Sequence, residues 1–235
     1  MRRLLAPLLL LLLVACNDTG QAFVSYPMVA TGVSPGPFAA GEWQVTFTRA
    51  QVGLGPLYFC ATAGASASLC PVALAEFAHT ATVDAMNPVA QPLGDIHGVT
   101  GPIRSMTFDY AITWLTVETS ARPKTGAPGG HSARFEGTAQ KGATIVHFVA
   151  DIDVVPRYQG SRAVEGARVM ADVVDENVQV EVVVDPRDWW KNVDFDDLAA
   201  QGVDPAVVAP GSRAYNAVVV AMTANYRPAF TWSVH

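Results

Sequence analysis

The chain has 235 residues, half of them hydrophobic and only 15% charged, with a formal net charge of −6. A charged fraction well below the ~25% usual for soluble domains excludes an intrinsically disordered chain, and the length suits one large β domain or two small ones. The acidic balance, with no basic stripe, argues against nucleic acid as a partner.

The chain opens with Met1-Arg2-Arg3 and a nearly pure leucine run from Leu4 to Val14. This is a positive segment followed by an apolar core, too short to span a bilayer that needs ~20 helical residues. The run ends in Leu13-Val14-Ala15-Cys16. Leader and box together resemble the lipobox of bacterial lipoproteins. The resemblance implies that residues 1–15 are a signal peptide removed before Cys16, which is then acylated on its thiol and its new amine. The membrane is thus a partner through lipid, held by roughly 0.8 kcal/mol for each buried methylene. Asn17 stands where enterobacterial members that stay in the inner membrane carry Asp, so the resemblance implies an outer-membrane location, periplasmic or surface-exposed. Loss of Arg2 and Arg3 with the leader takes the charge from −6 to −8. Such a body is repelled by an anionic bilayer surface rather than laid flat on it.

With Cys16 assigned to lipid, Cys60 and Cys70 remain, with nine residues between them in an Ala/Ser/Gly-rich segment. An exported chain with one remaining pair reads as carrying one disulfide. Metal-binding pairs usually enclose two to four residues and redox pairs two, so the spacing fits neither.

Residues 16–41 read as a lipidated N-terminus and flexible tether, because Gly20, Gly32, Pro35, Gly36, Pro37 and Gly41 break any regular element. Residues 42–235 then read as a single β-rich domain. Trp43 to Arg49 alternates with period two, the mark of a half-buried strand. Leu54 to Phe59 is a second apolar run. Pro71 can open a short helix through Leu74 and Phe77, and Thr80 to Met86 is a candidate strand. Met106, Phe108 and Tyr110 alternate, and residues 122–130 form a Gly/Pro loop. His131–Gln140 and Thr144–Val155 can pair across Lys141-Gly142. Arg162–Val174 and Asn177–Asp185 look like a second such pair, with Val178, Val180, Val182 and Val184 on one face. Asp194 followed by Asp196 and Asp197 reads as a helix cap. Residues 212–224 are open between a helix capped by Ser212 and a buried strand, and Phe230 to Val234 closes the chain as a strand. Many short strands with Gly/Pro turns predict a mainly β fold, an antiparallel sandwich or barrel-like domain with two or three short helices.

Recognisable chemistry is sparse. Gly130-His131-Ser132-Ala133-Arg134 begins like a nucleophile elbow but has Arg where glycine belongs. The sequence contains no His-Glu-x-x-His, P-loop or dinucleotide fingerprint. The histidines His79, His97, His131, His147 and His235 are scattered. His147, Asp151 and Asp153 share one strand face and are the candidate metal ligands, with Asp151 and Asp153 about 6.6 Å apart. His147 lies too far from them to join one shell on a straight strand, and the simpler reading is a wet face opposite Val146, Phe148, Ala150, Ile152 and Val154. Arg134 and Glu136 on a neighbouring strand face read as an ion pair. Arg187, Trp189 and Trp190 are the candidate partner-binding residues. Adjacent indoles diverge by about 100° on a helix, leaving one partly exposed, and exposed Trp beside Arg suits a hot spot or a sugar platform.

These readings favour a lipid-anchored cell-envelope protein that acts, without catalysis and without a cofactor, as a binding or assembly module for an envelope protein or glycan. A periplasmic metal-binding lipoprotein is the alternative, and a hydrolase with a site assembled from distant residues is the third.

Overall fold

The computed structural model describes residues 20–63, 70 and 73–234. The leader and Cys16 lie outside the described residues. The fold is mainly β, as the alternating segments predict, with, among the described residues, three short α-helices in its C-terminal third and a single 3-10 turn at Pro128–Gly130.

Eight strands form the larger sheet. In spatial order they are β13 (Val164–Val173), β8 (Gly101–Phe108), β4 (Leu57–Cys60), β5 (Ala73–Phe77), β7 (Gln91–Val99), β1 (Phe23–Thr31), β14 (Val178–Val183) and β16 (Ala229–Val234). The sheet curls toward a barrel without closing it, so β13 and β16 are its two edges. A second sheet runs β15 (Ala206–Val207), β12 (Thr144–Ile152), β11 (Ala133–Lys141), β3 (Trp43–Leu54) and β2 (Phe38–Ala40), with β6 (Ala81–Asp84) also paired to β3. The short strands β9 (Ile112–Thr113) and β10 (Arg122–Pro123) pair separately. Helices α1 (Arg187–Trp190), α2 (Phe195–Ala199) and α3 (Arg213–Val220) follow β14, and α3 continues into a π-turn at Ala221–Asn225. Among the described residues no helix is long and apolar enough to cross a membrane.

The strongest periodicities map onto real elements. β11 and β12 form the expected hairpin, with Gly142 at φ 60° in its two-residue turn. In the β12 segment Val146, Phe148, Ala150, Ile152 and Val154 are all buried while His147 and Asp151 are exposed. Val178, Val180, Val182 and Val184 all face the core. Asp194 caps α2 by accepting from the amides of Asp196 and Asp197, and Ser212 caps α3 by accepting from Tyr215. The segment left open between helix and strand is therefore helical.

Four expectations are corrected. The tether assigned to residues 16–41 is not one beyond residue 22, because β1 lies deep in the larger sheet between β7 and β14. Val24, Tyr26, Met28 and Ala30 are buried on alternate positions, a pattern masked by the Gly/Pro density that follows it. Pro27 is tolerated there next to a register shift at Met28/Val29, consistent with the confinement of strand prolines to edges and bulges. The helix expected after Pro71 is strand β5 over its described part, because β4 and β7 flank it on both sides and supply ladder partners. The second predicted hairpin does not form. β13 pairs with β8, whereas β14 pairs in parallel with β1 and antiparallel with β16. Arg134 and Glu136 do not pair with each other but reach across the sheet, to Asp151 at 2.7 Å and Arg49 at 2.6 Å. On neighbouring strands those partners stand directly opposite, at Arg134↔Asp151 and Glu136↔Arg49, closer than residues two apart on one strand.

One buried ion pair fixes how β13 leaves β8. Asp109, fully buried, accepts from the Ala163 amide at 2.7 Å and from Arg162 at 3.0 Å. Arg162 is itself buried and lies over the Tyr58 ring at 4.9 Å. Burial pushes the Asp109 carboxyl up to about 6, against the opposing pull of the Ala163 amide and Arg162. An acid whose folded pKa is raised binds its proton more tightly in the native state. Its contribution to stability is therefore full below the ordinary value and falls as pH rises toward about 6. Acidification from pH 7 to pH 5 is thus expected to raise stability through this group, and Asp109→Asn should abolish that gain. Denaturant titrations of both proteins at the two pH values measure it.

Cys60 and Cys70 form the predicted disulfide, closing a separation of 10 residues at the end of β4. In the chain-entropy picture a loop of this size stabilises by about 2–3 kcal/mol. A Cys60→Ala/Cys70→Ala double variant should lose that amount in a urea titration, with the slope raised by its freer denatured state.

Candidate functional site

The predicted partner-binding indoles are core residues. Trp189 and Trp190 are 1% and 0% exposed. Trp190 packs against Phe135 and Phe148 at centroid distances of 5.3 and 4.8 Å, with Phe47 and Phe195 around them. Trp189 meets Tyr110 and Phe135, and its indole N–H donates to the Tyr226 carbonyl. The divergence of adjacent side chains holds, but each indole finds its own wall of the core. Arg187 is held by Asp185 in a two-pronged ion pair at 2.6 and 2.8 Å. These three residues form no exposed platform.

The predicted metal ligands are also spread apart. His147 Nδ1 lies 2.9 Å from Asp204. Asp151 and Asp153 gather around His131 instead, with Nδ1 2.9 Å from Asp153 and Nε2 3.6 Å from Asp151. The two carboxylates therefore face opposite ring nitrogens, and Arg134 occupies Asp151 from a third direction. One ion cannot engage both carboxylates and a single imidazole nitrogen in that arrangement. Among the described residues no group of three or more His, Cys, Asp or Glu side chains is placed to hold a metal.

A feature with the character of a binding site is the seam where the larger sheet fails to close. There the two edge strands line one groove of about 710 Å³, with Ala167 to Met170 from β13 on one side and Ala229 and Phe230 from β16 on the other. Ala63, Arg104 of β8, Arg227 and Pro228 also line it. Phe230 forms its apolar floor and packs on Phe108 of β8 at 5.9 Å, while Trp232, the next inward residue, packs on Phe59 at 5.6 Å. Met170, Val174 and Val234 stand exposed along the two edges.

Each wall of the groove is held from the core. The Asp109–Arg162 pair sets the entry of β13. The turn leading into β16 is fixed by Trp189 on Tyr226 and by the Tyr110 hydroxyl, which donates to the Met222 carbonyl at 2.8 Å. The charge on the rim is less committed. Arg104 is tied to Asp172 at 2.9 Å and to the Ala171 carbonyl. Arg227 donates to the Thr223 carbonyl, and neither it nor Arg168 has a carboxylate partner among the described residues. Two guanidinium groups without a carboxylate partner among the described residues, over an apolar floor, are suited to a ligand carrying both carboxylates and apolar groups.

Sequence reasoning missed this site because no local pattern encodes it. Arg104, Arg168 and Arg227 are far apart in the chain and meet only through the strand order. The one available signal was in Ala229-Phe-Thr-Trp-Ser-Val234, an alternating strand with no charge and no proline.

No family model matches the chain, and the comparison with curated proteins found no match. Among solved structures, MbnP from Methylosinus trichosporium is similar over 74% of this chain and 79% of that one, at 11% sequence identity and a TM-score of 0.33.

Trp190→Ala should cost about 3–5 kcal/mol, as truncation of a fully enclosed indole does. Thermal unfolding would show a large fall in Tm. A stable variant that had lost only partner binding would return Trp190 to the surface role the sequence suggested.

Proposed function

We propose that the protein is a lipid-anchored cell-envelope protein whose β domain is a non-catalytic binding or assembly module, and that the seam groove holds its partner. The leader and the Leu13-Val14-Ala15-Cys16 box support the anchor. The disulfide supports passage through an oxidising compartment. The observation that carries the binding role is the groove itself, with an apolar floor, two arginines, Arg168 and Arg227, that have no carboxylate partner among the described residues, and walls buttressed by the core. Burial of both tryptophans removes the sugar-stacking platform, so a protein partner is favoured over a glycan.

Two expected outcomes test this reading. Cys16→Ala should move the full chain, expressed in a bacterial host, from the detergent phase to the aqueous phase on phase partition. A photo-crosslinking amino acid at Met170 should give a discrete adduct with an envelope protein. The adduct should disappear with Arg168→Glu/Arg227→Glu and be absent when the probe sits at exposed Tyr158.

A further inference from the structure

Edge strands present unpaired backbone donors and acceptors, and natural sheets blunt them with charge, proline, bulges or cover. The two edges at the seam differ in this respect. β13 carries register shifts at Val164/Ala167 and at Arg168/Ala171, and it bears Glu165, Arg168 and Asp172. β16 carries none of these devices. Its six residues are uncharged and free of proline, and they pair with β14 from Val183↔Ala229 to Val178↔Val234 without a shift. Its outer edge faces the groove, whose opposite wall is β13.

We infer that β16 accepts an extended segment of an acidic protein partner as an added strand. The guest lies in the seam between β16 and β13, with apolar side chains on Phe230 and carboxylates at Arg168 and Arg227. The inference rests on the binding role proposed above and specifies how the groove is used.

Three observations converge on this occupant. The outer edge of β16, without a strand partner among the described residues, supplies main-chain hydrogen bonds, the source of affinity in strand addition. A strand alternates its side chains between two faces, so one face of the guest meets the aromatic floor while the other reaches the rim. Arg168 and Arg227 lie exposed on that rim without carboxylate partners among the described residues, which selects Asp or Glu at the outward positions. The choice also disfavours a second copy of this chain as occupant, because Ala229–Val234 offers no carboxylate to the arginines.

The test uses the full chain in detergent and a fluorescein-labelled peptide, Val-Glu-Val-Asp-Val-Glu-Val-Asp, followed by fluorescence anisotropy. Saturable binding is expected, weakened at least about tenfold by Arg168→Glu/Arg227→Glu. These are exposed positions, so the variant's unchanged melting curve serves as the folding control. Peptides N-methylated at alternate residues, in each of the two registers, remove the amide donors of one edge at a time. At least one register should lose binding about tenfold. The Lys-for-acid analogue should not bind.

Binding of both N-methylated peptides as tight as that of the unmodified peptide would overturn strand addition while leaving the groove a binding site. Equal binding of the Lys analogue would overturn the acidic assignment. Absence of any peptide binding to about 1 mM overturns the inference as a whole, and the Met170 crosslink then decides separately whether the groove binds a partner. A concentration-dependent dimer that dissociates with Ser233→Lys, and that does not take the peptide, would assign the edge to a second copy.

Discussion

The contact on which this fold depends is the pair of indoles at Trp189 and Trp190. A four-residue helix has almost no stability of its own, because nucleating a helical turn costs more than its few hydrogen bonds return. It forms here because the two neighbouring side chains diverge and enter different parts of the same core. Trp190 fills the space against Phe47, Phe135 and Phe148 of the smaller sheet, and Trp189 reaches Tyr110 beyond the end of β8. The helix thus couples the two sheets, and through the Tyr226 carbonyl it also sets the start of the last strand.

A second constraint comes from the opposite edge. Asp109 and Arg162 are both buried, and two opposed charges taken from water are tolerated only when their geometry and hydrogen bonds are nearly complete. The carboxylate uses one oxygen for the Ala163 amide and the other for the guanidinium. A pair held this way favours a defined path for the chain more than it adds stability. The path it defines is the entry of β13. The seam is therefore bounded by two well-anchored strands, and its width is a property of the core rather than of surface loops.

Much of the fold was legible because alternation reports burial on one face directly. The hairpin of β11 and β12, the valine face of β14 and the caps at Asp194 and Ser212 were all visible as local patterns. Strand order was not. Whether β14 pairs with its chain neighbour β13 or with distant β1 depends on which apolar faces must meet, and no local window holds that information. The same limit explains the site. Trp189 and Trp190 drew attention as conspicuous residue types, yet large aromatics are more valuable inside, where each can bury 150–250 Å². Arg168 and Arg227 are unremarkable in sequence and become interesting only because the two edges of one sheet return to the same place. The proposed lipid site at Cys16 is the opposite case, a wholly local signal that needs no fold to be read.

The position of β1 has a consequence for orientation at a membrane. Only six residues separate Cys16 from Phe23, a span of at most roughly 25 Å when fully extended. For a chain held by lipid at Cys16, the Phe23 end of the larger sheet is then the membrane-proximal pole. Val183 is paired with Thr31 on one side and Ala229 on the other, so the mouth of the groove lies level with the far end of β1. At ~3.3 Å per residue that is about 25–30 Å further from the bilayer. In a chain anchored in that way, β1 would act as a rigid mast, and its length would set how far from the bilayer the groove stands.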